Sequence, residues 1–327
     1  MIIDVRPEFG IEVTLVIPYA YWLHTQNKLD KVVTSKGMKP FYYFCNNVEE
    51  KYEHRTIDNQ QAGLDNIPNK WIYGGPNEAK LYKDEWPEWE EFANVKRGCG
   101  ILDYSQWTLP EYDNFFKDDK FKSERPTIVI CNRYNWEHGK PPTGYFNIKC
   151  LYEIFNYLSD QGYDVIYKRP KNTEFPLDQN EMRTLHLQET LTANVEGVGI
   201  IDDYTLTKYF DHVHLLDDIV KENTDLTYNE VQLKLFAQAT GFITMGGGST
   251  LFPCLFQKPT VAYYGGTLTE INRKCFWEDS KGNKNIKNYH YMLNPKLTPF
   301  IDKDSVDMKN DYNNYDNFLK LIKKVFK

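Results

Sequence analysis

The sequence lacks the cysteine pairs, the long apolar runs and the excess of basic residues that mark several large classes of protein. Its six cysteines are scattered over 327 residues and form no Cys-x-x-Cys pair, so neither a zinc site nor a disulfide framework is predicted. No apolar run approaches the ~20 residues that a membrane-spanning helix needs. Acidic residues outnumber basic ones by 46 to 39, and the net charge of -7 argues against a protein that coats nucleic acid.

The amino terminus and the cysteines also bear on where the protein works. Residues 1–10 carry acidic side chains and no cationic segment followed by a long apolar one. No secretory signal is therefore predicted, and we expect the mature chain to begin here. Unpaired cysteines and the lack of an Asn-x-Ser/Thr sequon favour a reducing compartment, which predicts a cytoplasmic protein.

Short apolar runs alternate with helical patterns along most of the chain. In the first half, the β-rich run Glu12–Pro18 predicts a strand that leads into a helix opening at Tyr19. Pro40–Cys45 and Trp71–Tyr73 predict two more short strands. A partly helical, acidic connector is expected to follow and to end at a domain boundary near Phe121–Glu124.

The second half of the chain repeats the alternation more clearly. Pro126–Cys131 and Asp164–Arg169 predict strands, and Tyr145–Gln161 between them has apolar residues at helical spacing, so the three form one β-α-β unit. A capping box at Thr227 and Glu230 predicts the start of a later helix. Three further predicted strands are Asp211–Leu216, Gly241–Thr244 and Pro259–Tyr264. This alternation predicts a doubly wound α/β fold with a parallel sheet.

The last residues of the chain predict an amphipathic helix. Tyr315–Lys327 places apolar side chains on one face and lysines around the rest. A helix docked on a neighbouring domain is the favoured interpretation, and a helix lying on a membrane surface is the alternative.

A glycine-rich turn is the sharpest chemical signal in the sequence. Met245-Gly246-Gly247-Gly248-Ser249-Thr250 follows a predicted strand and precedes a predicted helix, where backbone N–H groups can point at an anion. Its two hydroxyl side chains can cap the helix or bind a phosphate oxygen. The third glycine of the dinucleotide fingerprint is missing, and no P-loop exists in the chain, so NAD and ATP phosphoryl chemistry are disfavoured. A turn that serves only tight packing is the alternative.

Four basic side chains follow the carboxyl ends of predicted strands, where ligands bind in open α/β sheets. They are Arg133, Lys140, Lys168 and Arg169. A cation placed there can neutralise a leaving diphosphate as its charge grows, although each could equally be a surface residue. Arg169 is the favoured candidate because Pro170 restricts the backbone before it.

The block Leu235–Tyr264 resembles the donor-binding domain of GT-B glycosyltransferases. In that fold a helix, a strand, a Gly/Ser turn, a second helix and a Lys-Pro-Thr-Val segment build the nucleotide-sugar pocket. The likeness covers roughly residues 126–266. A narrower resemblance, to xylosyltransferase-like glycosyltransferases of large algal (chlorella-type) viruses, is carried by Glu12–His24 and Thr127–Arg169.

The resemblance implies an α/β protein of the GT-B fold, with two Rossmann-like domains facing across a cleft. Residues 1–122 would bind the acceptor, residues 123–305 the donor, and a C-terminal helix in residues 306–327 would pack back on the N-terminal domain. The implied enzyme is a hexosyl- or pentosyltransferase that moves a sugar from a UDP- or GDP-linked donor to a glycan hydroxyl. No metal and no cofactor are expected, because helix N-termini and cationic side chains hold the diphosphate.

Two other functions share this architecture. Nucleotide-sugar 2-epimerases have the same two domains, and a nucleotide- or sugar-binding protein without activity could have kept the fold. For the transferase, the resemblance assigns donor binding to the glycine-rich turn together with Arg133, Lys168 and Arg169. Nucleic acid is not an expected partner.

An inverting sugar transfer also needs a base to take the acceptor proton. Glu137 and His24 are the candidates, and a packed or surface histidine is the favoured alternative for His24. The pairs Asp202-Asp203 and Asp217-Asp218 are adjacent rather than spaced like metal ligands, so they are predicted as solvated turn or capping carboxylates.

Overall fold

The computed structural model describes nine parts of the chain: residues 1–55, 67, 105–134, 142, 145–169, 190–196, 199–245, 252–263 and 315–327. These residues fall into two compact units, one within residues 1–111 and the other within residues 112–327. The predicted domain limits at residues 122 and 305 stay a prediction. The predicted strand Trp71–Tyr73 lies outside the described residues.

The first unit contains a parallel sheet of three strands in the order β1-β2-β3. Ile3 pairs with Val32, and Val32 pairs with Val48 on its other side. The strands are β1 (Ile2–Asp4), β2 (Lys31–Ser35) and β3 (Val48–Tyr52). Between β1 and β2 the chain forms one continuous helical stretch, made of α1 (Phe9–Ile11), a π-helix (Glu12–Val16) and α2 (Ile17–Thr25).

The predicted strand Glu12–Pro18 is therefore wrong, because this run is helical. All residues of the π-helix are buried, including the polar Glu12 and Thr14, so no exposed polar face marks the helix and periodicity cannot separate it from a strand. Pro18 lies early in α2, inside the continuous helical stretch, and has no N–H to donate to the preceding turn. The carbonyl of Thr14, four residues earlier, accepts instead from Trp107 Nε1 at 2.8 Å. The predicted strand Pro40–Cys45 is also wrong. Pro40 lies in the first turn of a 3₁₀-helix at Lys39–Tyr42, where proline is tolerated.

The second unit contains a parallel sheet of five strands in the order β10-β9-β4-β5-β8. Its central strand β4 is buried along its whole length, as expected for a sheet covered on both faces. The strands are β4 (Thr127–Cys131), β5 (Asp164–Lys168), β8 (Val213–Leu215), β9 (Gly241–Met245) and β10 (Thr260–Tyr263). A separate antiparallel pair is formed by β6 (Thr192–Val195) and β7 (Gly199–Asp202). The α/β class with parallel sheets, predicted from the alternation, is confirmed.

The helices of the second unit begin and end at the signals that the sequence carries. Asn147 caps α4 through its side chain, and Gly162, with φ at +78°, ends it in the left-handed conformation. Thr227 and Glu230 form both hydrogen bonds of the predicted capping box at the start of α7. The helices are α3 (Tyr112–Phe115), α4 (Ile148–Asp160), α5 (Asp203–Thr207), α6 (Leu216–Glu222), α7 (Tyr228–Gln238) and α8 (Asp316–Val325).

The C-terminal helix α8 packs within the second unit. Phe318 stacks on Phe146 with ring centroids 5.1 Å apart, and the Tyr157 hydroxyl donates to the carbonyl of Phe326 at 2.6 Å. A Cβ added to Gly241 would lie 2.6 Å from the ring of Phe326, so this glycine makes room for the end of the chain. The helix is docked on a protein core, but that core belongs to its own unit rather than to the neighbouring N-terminal domain that was predicted. Its apolar face fits the aromatic side chains of its own unit.

Candidate functional site

The order of the five strands creates a switch point between β4 and β9. From β4 the chain builds outward through β5 and β8, and then returns to the other side of β4 to add β9 and β10. Ligands in open α/β sheets bind outside the carboxyl ends of the strands at such a point. Here β4 ends at Cys131 and β9 ends at Met245. Gly246-Gly247-Gly248-Ser249-Thr250 comes next in the chain after β9 and lies outside the described residues.

Asn132, the residue after β4, joins two segments of chain at this edge. Its Oδ1 accepts from the backbone N–H groups of Arg133 and Phe146, both at 2.9 Å. Its Nδ2 donates to the carbonyl of Phe146 and to the hydroxyl of Tyr167, both at 3.0 Å. One buried amide thus holds the chain where it leaves β4 and where it returns before α4.

Lys168 ends β5, the strand next to β4, and its Cα is paired with that of Cys131. Its half-buried ammonium donates to the amide oxygen of Gln232 and lies 5.8 Å from the ring centroids of Phe236 and Phe252. Burial lowers the pKa of Lys168, while Cys131 and Asp217 act in the opposite direction. A cation with a neutral hydrogen-bond partner and reduced hydration is stabilised when an anion binds beside it.

Arg169, the next residue, has a different environment. Its side chain is fully buried, and its Nη2 donates to Asp203 Oδ1 at 2.8 Å while its Nε donates to the other oxygen. Although burial lowers the pKa of Arg169, the hydrogen bonds and charge of Asp203 raise it overall. The guanidinium thus binds a carboxylate of its own chain, and the prediction that Arg169 binds a diphosphate gains no support.

Tyr204 connects this ion pair to a second carboxylate. Its hydroxyl lies 2.7 Å from the carbonyl of Arg169, to which it donates, and 3.1 Å from Asp217 Oδ2. Burial raises the pKa of Asp217, and the nearby polar hydroxyl of Tyr204 and the charge of Lys221 partly offset the effect. Asp217 and Lys168 also interact electrostatically. A cation at the carboxyl end of β5 and an acid just after β8 therefore lie close to each other.

The other predicted binding and catalytic residues fall in different places. Arg133 is half-buried directly after Asn132 at the switch point. Glu137 and Lys140 lie outside the described residues.

His24 is exposed in the last turn of α2, and its ring stacks on Tyr21 at 5.9 Å. The chain then returns to the sheet, where the Asp30 N–H donates to the Met1 carbonyl before β1. His24 therefore lies near the amino ends of the strands, opposite to the edge where ligands bind. This position gives no support to its predicted role as a base.

The adjacent aspartates separate into different roles. Asp202 caps α5 by accepting from the Thr205 N–H at 2.7 Å, which confirms the capping interpretation. For Asp203 the prediction of a solvated carboxylate is wrong, because it is fully buried against Arg169. Sequence analysis missed Asp203, Tyr204 and Gln232 as members of this edge, and no motif or local spacing marks them.

Within the described residues, no group of three or more His, Cys, Asp and Glu side chains is arranged to hold a metal ion. Among the helices of the same part of the chain, none combines the length and apolar character needed to cross a bilayer.

Comparison with protein families and with curated proteins found no match to this chain. Solved structures give weak similarities. Escherichia coli ADP-heptose LPS heptosyltransferase II has a TM-score of 0.47 at 12% identity, covering 99% of this chain and 98% of that protein. E. coli heptosyltransferase WaaC with ADP-2-deoxy-2-fluoro heptose has a TM-score of 0.44 at 11% identity, covering 81% and 89%. The UDP-GlcNAc 2-epimerase of Neisseria meningitidis has a TM-score of 0.33 at 10% identity, covering 99% and 98%.

Proposed function

We propose that this protein is a glycosyltransferase of the GT-B type, which moves a sugar from a UDP- or GDP-linked donor to a hydroxyl group of a glycan. One observation carries the proposal. The glycine-rich segment that resembles a donor-binding turn comes next in the sequence after β9, whose carboxyl end lies at the switch point of a five-stranded parallel sheet. Lys168, two strands away on β5, supplies a half-buried cation at the same edge.

Three changes take place in a sugar transfer at such a site. The bond between the anomeric carbon and the diphosphate breaks, a bond from that carbon to the acceptor oxygen forms, and the hydroxyl proton passes to a base. The leaving diphosphate gains charge in the transition state, so fixed N–H groups and cations aimed at it lower the barrier. The N–H groups of Gly247–Thr250 and the ammonium of Lys168 are proposed to do this. Glu137 remains the proposed base.

The function is tested by incubating the full-length protein with UDP-, GDP- and ADP-sugars, with and without a panel of glycan acceptors. A transferase releases the nucleoside diphosphate and forms a product heavier by one sugar. Interconversion of the donor without an acceptor would identify an epimerase instead. A rise in melting temperature with a nucleotide, without turnover of any donor, would identify a binding protein.

The role of Lys168 is tested separately with Lys168→Met, which removes the charge and keeps an apolar stem beside Phe236. Loss of a charged hydrogen bond is worth about 1.5–3 kcal/mol, so nucleoside diphosphate affinity should fall roughly 10- to 100-fold. Lys208→Met, at an exposed position after α5, is the matched control and should bind normally. Equal affinity of both variants in calorimetry would remove Lys168 from the site.

The proposed role of Lys168 also predicts how the affinity for a nucleoside diphosphate depends on pH. Because burial lowers the pKa of Lys168, its ammonium loses its proton at a pH below that of an ordinary lysine. Affinity for the anion should therefore decline as the pH rises toward 10, whereas that of Lys168→Met should stay flat over the same range. Parallel slopes for the two proteins would contradict the assignment.

A further inference from the structure

The C-terminal helix α8 leaves a row of lysines on its outer face. Lys320, Lys323 and Lys324 lie on the helix at the spacing i, i+3, i+4, Lys327 lies two residues beyond the last helical residue, and all four are exposed. The spacing places the first three on one side of the helix over a length of about 6 Å, with Lys327 just past its end. The protein as a whole has a net charge of -7, so the row is a local exception to its overall charge.

The opposite face of the helix is not available to a partner. Phe318, Ile322 and Phe326 are each at most 3% exposed, and the hydroxyl of Tyr163 also contacts the last carbonyl of the chain, that of Lys327, at 3.3 Å. A helix docked in this way cannot insert its apolar side chains into a membrane. Its outer face carries the lysines together with the exposed side chains of Asp316 and Asn317.

The chemistry of this face limits the partner. A stable protein interface needs an apolar core with shape complementarity, and a convex row of lysines provides neither. Proteins that bind duplex nucleic acid use arginine for bidentate phosphate contacts, and the row contains no arginine. A lipid surface is fluid and arranges its anionic headgroups around any spacing of point charges.

We propose that the face formed by Lys320, Lys323, Lys324 and Lys327 docks the protein reversibly onto an anionic lipid surface. The attraction is electrostatic and therefore weakens with salt, because the Debye length shortens. Each lysine near such a surface strengthens partitioning about fivefold. The docking needs no nucleotide, so it stands or falls independently of the proposed enzyme activity.

The test measures sedimentation of the full-length protein with vesicles of phosphatidylcholine alone or with phosphatidylserine added. Binding is expected with phosphatidylserine only, at low salt, and should be largely lost at high salt. The triple variant Lys320→Gln, Lys323→Gln, Lys327→Gln should bind roughly 100-fold more weakly. The same three positions changed to arginine should retain binding, since the charge is kept.

A matched control changes three exposed lysines outside α8, namely Lys28→Gln, Lys208→Gln and Lys221→Gln. It alters the net charge equally and should bind vesicles like the unchanged protein. Melting curves confirm that each variant is folded. The proposal is overturned if the unchanged protein ignores phosphatidylserine, if the control loses as much binding as the α8 variant, or if a DNA duplex binds this face more tightly than vesicles do.

Discussion

Each unit of the molecule buries an arginine beside a carboxylate, and the two pairs differ in how fully the carboxylate is hydrogen-bonded. In the second unit, both carboxylate oxygens of Asp203 accept hydrogen bonds from Arg169, and one of them also accepts from the Tyr167 hydroxyl at 2.6 Å. In the first unit, Glu12 accepts from the hydroxyls of Thr34 and Tyr42 at Oε1. Its Oε2 lies 3.7 Å from Arg55 Nη1 and has no hydrogen bond among the described residues.

The difference shows that burial alone does not decide whether an ion pair holds its charges. Desolvation opposes both pairs, and only good geometry with further hydrogen bonds repays it. Burial raises the pKa of Glu12 despite the opposing effects of Arg55 and two hydroxyl donors. In the second unit, contacts with Asp203 outweigh burial and raise the pKa of Arg169. Breaking the pair of Arg169 and Asp203 should therefore lower the free energy of unfolding much more than breaking the pair of Arg55 and Glu12.

The largest effect is expected from breaking the complete pair. Asp203→Leu or Arg169→Met leaves a buried charge uncompensated and should each cost about 3–5 kcal/mol in the free energy of unfolding. The double variant removes both charges and should be more stable than either single variant. Urea unfolding of the four proteins forms a double-mutant cycle, and an additive double variant would contradict a coupled pair.

A smaller loss is expected from Tyr167→Phe. The substitution removes the hydrogen bond to Asp203 and the acceptor for Asn132, while the ring keeps its packing against Phe155. The free energy of unfolding should fall by about 1–2 kcal/mol, the usual cost of leaving buried polar groups less satisfied. Tyr152→Phe, on the exposed side of α4, is the control and should unfold like the unchanged protein. A Tyr167→Phe variant as stable as that control would show that the network contributes nothing.

The smallest effect at neutral pH is expected from Glu12→Gln, about 1 kcal/mol or less in either direction, because the charge it removes is opposed by desolvation. Its signature is in the pH dependence. With its pKa raised above 4.5, folded Glu12 binds a proton at a pH where the unfolded chain has lost it. The unchanged protein should therefore gain stability relative to Glu12→Gln as the pH falls toward 4.5. A constant difference between the two proteins from pH 8 to pH 4.5 would contradict the raised pKa.

The two units also differ in how well the sequence predicts them. In the second unit, Pro126–Cys131 and Tyr145–Gln161 are recognised because apolar runs there have a clear period and end at glycine or a capping residue. In the first unit, all residues of Glu12–Val16 are buried, including its two polar ones. The run therefore has no exposed face whose spacing would distinguish a helix from a strand. Tertiary burial, which the local pattern does not encode, decides its structure.

At the candidate site, the sequence predicts where the basic residues lie but not what their side chains bind. The strand pattern predicts Lys168 and Arg169 at the carboxyl end of β5, and in the structure Lys168 is the last residue of that strand and Arg169 the next. Nothing local shows that Arg169 binds Asp203, which is 34 residues further along the chain, or that Lys168 donates to a neutral amide from α7. Long-range pairing separates a structural cation from a candidate binding cation, and a pattern of strands and turns cannot predict it.

The amide of Asn132 has a consequence for how such a protein can diversify. By tying position 132 to position 146, it fixes both ends of the intervening segment beside β4. Closure entropy rises only slowly with the number of residues, by about 0.6 kcal/mol for each doubling. Descendants of this gene could lengthen, shorten or rewrite that segment, and so acquire new preferences, without disturbing the strands beneath.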